Sequence, residues 1–309
     1  MKQFVRNAVA ASTTALLVIA QLAFAPAAQA ATATVGNQLT TVDLTSPSLS
    51  ALNLAQALVG PGVSSTVTNV TYTGAKAQLG TVHIADPAVV SFNDGVIMSS
   101  GYVADVAGPN KSEGTTGDMA SQPGINAGAA DTDLTALIAN TATVNPMTYD
   151  AATLEFDFVP NASTVYFTYV FGSDEYLEWV NLFNDVFAFY ITDASGHRSN
   201  CAVTPTGDPV SIDTINSNAN SGLYRDNSFW SPPTNPINFE SDGLTVEMIC
   251  SATVTPNVPN HIKLAIADTS DQILDSVVML KSHTLSTTPP ESCNNKVDDD
   301  GDNAVDMDD

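Results

Sequence analysis

The sequence predicts an all-β fold, an antiparallel β-sandwich of jelly-roll type with one or two short helices, and three observations lead there. Apolar residues recur with period two: Leu154, Phe156 and Phe158 alternate with Glu155 and Asp157, and Val165, Phe167, Tyr169 and Phe171 repeat the pattern. Turn-forming clusters such as Pro160-Asn161-Ala162 and Asn257-Val258-Pro259-Asn260 punctuate the β-branched and aromatic runs. The composition, 44% hydrophobic and 14% charged, suits a chain that buries a core rather than an acidic disordered one.

In chain order, Lys2 and Arg6 precede a short apolar run (15–24), and Ala28-Gln29-Ala30 follows. This is the pattern of a secretory signal peptide spanning 1–30, its apolar core too short for a membrane span. With no later segment long and apolar enough to cross a bilayer, the mature chain is expected to lack a transmembrane segment. Its expected place is secreted or at the cell surface. The sandwich domain is assigned to 31–285. Ser50–Val59 predicts a helix, with Leu52, Ala55, Leu58 and Val59 on one face and Ser50 as N-cap. Strands are expected at Asn69–Thr73, Gly95–Ser99, Val186–Thr192, Leu244–Thr255, His261–Ala267 and Ser276–His283, besides the two alternating runs above. A second helix, Asp131–Asn140, opens on acids that suit the positive end of a helix dipole. Two long stretches, 102–130 and 204–236, show little periodicity, and ordered loops of that length are usually functional or mobile. Residues 286–290 (STTPP) form a stiff linker to an acidic tail, 291–309.

The chain holds 33 acidic and nine basic side chains; loss of the signal peptide leaves seven basic ones, a formal −26. That balance argues against nucleic acid, whose phosphates need clustered Lys and Arg, and favours cations as partners. Cys201 and Cys250, both in or beside strand-like segments, are candidate disulfide partners, which leaves Cys293 odd. There is no CxxC and no Cys/His spacing suited to zinc.

The tail reads as a calcium loop. With Asp298 at position 1, Asp300 and Asp302 fall at 3 and 5, the Ala304 carbonyl at 7, Asp306 at 9 and Asp309 at 12. That alternation arranges oxygens around a hard cation, and Asn303 replaces the usual Gly at position 6. The competing reading is a self-repelling acidic tail of seven aspartates. A second candidate metal or ligand site combines Asp174, Glu175, Glu178, Asn184 and Asp185 with the acids of a later connection, Asp268, Asp271 and Asp275. If those loops share one end of the sandwich, they make an oxygen-only site; the alternative is turn chemistry, Asn and Asp bonding nearby backbone. No GxSxG, HExxH or phosphate-binding Gly loop occurs, and no catalytic residue is assigned.

One set of motifs resembles a bacterial family, the choice-of-anchor L domain proteins. The resemblance lies in Phe171-Gly172-Ser173-Asp174-Glu175-Tyr176-Leu177-Glu178-Trp179-Val180 and in Phe183-Asn184-Asp185-Val186-Phe187-Ala188-Phe189-Tyr190. Further pieces are Leu54–Gly62, Gly95–Gly101, Tyr149–Phe158, His261–Asp268 and Leu274–Val278, so that it covers about Ala51 to Leu285. The chain departs in having Asp174 for Glu and Leu177 where Pro is common. The resemblance implies an exported, β-rich protein and supplies no activity. The tail is similar to calcium-loop modules of bacterial surface proteins, whose later Cys partner is missing for Cys293.

The leading expectation is a calcium-binding, non-enzymatic surface or matrix protein acting in adhesion or self-assembly. Its partners would be calcium and copies of itself, another surface protein or a glycan. The alternative is a calcium-dependent, lectin-like carbohydrate-binding module, since Asp185 leads into Phe187-Ala188-Phe189 as an acid leads a lectin strand. A glycan hydrolase using Glu175 with Asp185 comes third.

Overall fold

The computed structural model describes residues 38–111, 125, 129–139, 144–230, 232, 234 and 236–290. Among them the elements run β1 (Leu39–Asp43), α1 (Ala51–Leu58), β2 (Thr68–Thr73), β3 (Leu79–Ile84), β4 (Asp94–Ser99), α2 (Thr132–Ile138), β5 (Thr148–Phe158) and β6 (Thr164–Ser173). They continue with β7 (Val186–Thr192), β8 (Arg198–Asn200), β9 (Tyr224–Asp226), β10 (Gly243–Thr245), β11 (Met248–Thr253), β12 (Asn260–Thr269) and β13 (Ser276–Lys281).

The strands form two antiparallel sheets. One orders as β1-β3-β4-β13-β6-β10-β9, with β11 also paired to β6; the other as β2-β5-β12-β7-β8. Between them lies the main core: Phe167, Tyr169, Phe171, Val278 and Leu280 from the first sheet meet Leu154, Phe156, Phe158, Phe187, Phe189 and Leu264 from the second. The period-two pattern of β5 and β6 has this cause, because alternate residues of a strand share a face. Phe167 and Phe189 meet edge to face across the sheets at 4.7 Å, and beside them Cys201 and Cys250 form a disulfide. Cys250 lies in β11 and Cys201 directly follows β8, so the bond ties one sheet to the other.

Neither sheet is bare on its outer face. Val170, Val277, Met279 and Leu244 of the first sheet pack under Val103, Val106, Ile237 and Phe239 from the long connections. Ala188, Ala265 and Ala267 of the second lie under Leu134 and Ile138 of α2. Small residues there let the helix approach closely. Helix α2 is also pinned by charge. Asp131 caps it, accepting from the N–H groups of Asp133 and Leu134, while Lys263 reaches Asp131 at 2.7 Å and Asp133 at 2.6 Å. Arg198 makes two hydrogen bonds to Asp133, at 2.8 and 2.7 Å, and lies 3.9 Å over the Tyr190 ring. The Arg198 hydrogen bonds, with Lys263 beside them, hold the Asp133 carboxyl well below the usual range against a smaller opposing effect of burial.

Several expectations are corrected. Leu52 is exposed, and α1 buries Leu54, Ala55 and Leu58 instead; its Ser50 cap stands, accepting from the Asn53 N–H. The expected strand over 244–255 is two strands, because β10 and β11 pair with different stretches of β6. At the break the Thr245 hydroxyl accepts from the Phe171 N–H in place of a ladder bond. Asp268 lies within β12, not between strands, beside a register shift after Ile266.

Candidate functional site

One end of the sandwich collects carboxylates. Asp150, Asp174, Glu175, Asp185, Glu240, Asp242, Asp268 and Asp275 are all at most 2% exposed. Burying an ionised carboxylate is costly unless it is paired, coordinated or neutralised. Three basic residues are engaged elsewhere, Lys263 and Arg198 holding α2 and Arg225 donating to the carbonyls of Val89 and Ala88, while Lys111 lies 4.0 Å from Glu240.

The first group sits where β6, β7, β12 and β13 meet. Asp185, directly before β7, accepts from the Ser276 hydroxyl at 2.7 Å and from the Thr269 N–H at 2.8 Å. Burial still pushes its carboxyl up to about 8, those two hydrogen bonds opposing the rise. Asp268 lies alongside. Neither of its oxygens makes a hydrogen bond of standard geometry, although Ser100 and Asp185 are near enough to act on its charge. Burial first, then Asp185 and Asp275, raise it well above the usual carboxylate range. Glu175 donates its N–H to the Ser173 hydroxyl; its Oε2 is buried without a partner, and burial followed by the charge of Asp185 raises its carboxyl strongly. The backbone nearby is strained: Ser270 and Leu274 hold φ of 81° and 68°, at a cost of about 1–3 kcal/mol each.

The second group lies on the outer face of the first sheet. Ser173 pairs with Gly243 on one side and Ser276 on the other. One residue further, Asp174 stands abreast of Asp242 and Asp275, and its N–H donates to the Asp275 carbonyl at 3.2 Å. Residues directly opposite in an antiparallel ladder share a face, so the three carboxylates form a row. They follow the parity of Val170, Leu244 and Val277, which face outward. Asp174 Oδ1 is buried and unpartnered. Burial, then the charges of Asp242, Asp275 and Glu240, raise the Asp174 carboxyl well above its ordinary value.

The residues expected as one site therefore divide. Glu175, Asp185 and Asp268 come together at one end, with Asp271 half-buried at the edge. Asp174 and Asp275 turn to the other face of the sheet. Glu178 is exposed, and the Asn184 side chain accepts from the Asp213 N–H at 3.1 Å, a loop-bracing role. Sequence reading passed over Asp150, Glu240 and Asp242. The repeated Ser-Asp or Asp-Ser step at a strand end (173–174, 241–242, 275–276) is the signal that could have found Asp242.

Among the described residues no three His, Cys, Asp or Glu side chains stand ready-converged as a metal site. The donor chemistry nonetheless fits a hard cation: oxygens only, several orphaned in the interior. The tail ligands Asp298, Asp300, Asp302, Ala304, Asp306 and Asp309 lie outside the described residues, as do Cys293 and the signal-peptide segment. No described helix is long and apolar enough to cross a membrane.

No curated protein and no solved structure matches the chain. The family model of the Choice-of-anchor L domain matches residues 41–286, which takes in both sheets and both carboxylate groups. The chain belongs to the Choice-of-anchor L domain family, and so among surface-associated bacterial proteins.

Proposed function

We propose that this is an exported calcium-binding module that acts in adhesion or self-assembly at the bacterial surface and carries out no catalysis. The observation that carries the reading is the Asp268 carboxylate, 1% exposed and without a well-formed hydrogen bond, beside Asp185 and the orphaned Oε2 of Glu175. Divalent cation binding converts that unfavourable burial into stabilisation, since calcium takes carboxylate and carbonyl oxygens and tolerates irregular geometry. Asp185 and Asp268 are the ligands proposed for the interior, with Glu175 and Asp271 completing the shell. The tail from Asp298 to Asp309 is the proposed second calcium carrier. Burial of Glu175 and Asp185 favours this over the hydrolase reading, because a glycan has to reach both carboxylates.

Calorimetric titration of the chelator-treated full chain with calcium tests the reading, together with sedimentation velocity with and without the ion. Calcium-dependent heat, a raised melting temperature and calcium-dependent multimers are expected, and Asp268→Asn should reduce the first two. Absence of any calcium heat sinks the proposal. A lectin-like reading draws on one observation, the pair Phe229 and Trp230, 44% and 74% exposed and set edge to face, aromatic rings of a kind that packs on sugars. Glycan binding abolished by chelator and by Trp230→Ala would favour it over assembly.

A further inference from the structure

We propose that β1 is the docking edge for a second copy of this chain, the two β1 strands pairing antiparallel about a twofold axis at Thr41. The inference rests on the self-assembly reading above and names its surface and its partner.

β1 (Leu39-Thr40-Thr41-Val42-Asp43) closes the first sheet on one side and pairs with β3 alone. Two flanking bonds fix the phase of that ladder: the Ala85 N–H donates to the Gln38 carbonyl, and the Leu44 N–H to the Leu79 carbonyl. Hydrogen-bonded positions alternate along an antiparallel pair. Thr40 and Val42 therefore bond to β3, while Leu39, Thr41 and Asp43 turn their N–H and C=O groups outward. Among the described residues nothing takes up those three N–H groups or the Leu39 and Thr41 carbonyls, and the Asp43 carbonyl accepts from the Ser46 N–H.

The edge carries none of the usual guards. β1 contains no Lys and no Pro, and its register with β3 is unbroken over five residues. Its one charge is turned away from the edge, because Asp43 Oδ1 accepts from the Thr45 N–H and the Thr45 hydroxyl and closes the turn beyond the strand. Val42 is left 47% exposed.

The strand is also complementary to itself. Full overlap sets Thr41 against Thr41, Leu39 against Asp43 and Val42 against Thr40, so the outward groups meet in roughly six ladder bonds. Each exposed Val42 then gains the partner's Thr40 beside it. The two Asp43 residues stand four positions apart along the pair, about 14 Å, beyond the screening length of about 8 Å at physiological salt. Centring the pair on Asp43 would instead oppose the two carboxylates directly. Five paired residues bury less than the roughly 1,200 Å² of a stable complex, so the pairing is favoured where copies are held close together, as on a surface.

The test is sedimentation velocity of the full chain over a range of concentrations, with and without calcium, for wild type, Thr41→Pro and Ser251→Pro. Proline at 41 removes only an outward N–H and leaves the β3 ladder intact; it should weaken association by about tenfold or more with little change in melting temperature. Ser251→Pro does the same to β11, the competing free edge, and should have no effect. Register is read by mild oxidation of Thr41→Cys in a Cys293→Ser background. A cross-linked dimer is expected, since the central pair holds its Cα atoms about 5.5 Å apart, within disulfide reach; Thr40→Cys should cross-link far less. Wild-type multimers that ignore Thr41→Pro, or that Ser251→Pro disperses, overturn the inference and leave the assembly reading standing. Slow hydrogen exchange at the Leu39 and Thr41 amides at every dilution would show that chain ahead of Gln38 covers the edge, which overturns it too. If wild type stays monomeric under all conditions, the assembly reading falls with it.

Discussion

Replacing Cys201 and Cys250 together by alanine removes the one covalent tie between the two sheets found among the described residues. The partners are 49 residues apart in sequence, with Cα atoms 5.1 Å apart. Closing a loop of that length restricts the unfolded chain by about 4 kcal/mol on the chain-entropy view. Alanine is the informative replacement, because Cys250 is 1% and Cys201 6% exposed and serine would bury a hydroxyl there. Guanidinium unfolding followed by the fluorescence of Trp179 and Trp230 reads the change. For a denaturant slope of about 5 kcal/mol/M, the midpoint should fall by about 0.8 M, and the slope should rise because the unfolded chain loses its cross-link and exposes more surface. The buried bond should also resist reductant while the chain is folded and open only in denaturant. A double variant within about 1 kcal/mol of wild type would refute the claim that this staple matters; so would reduction at the same rate in the native and unfolded states.

Other expectations concern separate parts of the fold. Phe189→Ala removes half of the inter-sheet aromatic pair from a fully buried site and should cost about 3–5 kcal/mol in the same assay. A Cβ at Gly101 would lie 1.7 Å from Asp275 Oδ2, so Gly101→Ala should cost about 1–3 kcal/mol through the displaced carboxylate, and full stability in that variant would show the carboxylate free to move. Lys263→Ala should lower hydrogen-exchange protection in α2 by about 1–2 kcal/mol without changing the global midpoint slope. Acid should loosen the same helix. The folded Asp133 carboxyl lies below its unfolded value, so its contribution is complete above about pH 4 and is lost as pH falls through the folded value. Protection of α2 should therefore hold from neutrality to about pH 4.5 and decline below. Arg198→Ala should flatten that decline, and an unchanged profile in the variant would show that Asp133 is not its source.

What could be read from the sequence follows from how many faces a strand buries. β5 and β6 show clean alternation where one face meets the core and the other carries polar groups, as with Glu155 and Asp157 flanking His261. β3, LGTVHI, is buried at Leu79, Gly80, Val82 and Ile84 and pairs on both sides, yet it lies among polar stretches and was not anticipated. β8 and β9 span three residues each, too few for a period to show. The face of α1 was misjudged because Leu52 and Leu54 offer two apolar stripes that share Ala55 and Leu58, and packing chose the one through Leu54. At the acidic end, Glu175, Asp185 and Asp268 of the larger set read from the sequence do come together, because they border or lie in strands that are neighbours, while Asp174 and Asp275 turn to the other face. Asp242 and Glu240 were missed because they lie in the irregular approach to a strand whose place beside β6 depends on long-range pairing.

The sheet borders bear on how copies of this protein could meet. The first sheet ends on β9 and the second on β8, three residues each, and the other border of the second sheet, β2, shifts register between Thr68 and Thr71. A three-residue border offers an incoming strand only two or three ladder bonds, and a bulged one offers them out of step. Continuation of a sheet from one molecule into the next is therefore poorly supported at those three borders. The remaining border of the first sheet, β1, pairs with β3 in unbroken register over five residues, so growth of a sheet between copies would fall to that strand rather than to these three.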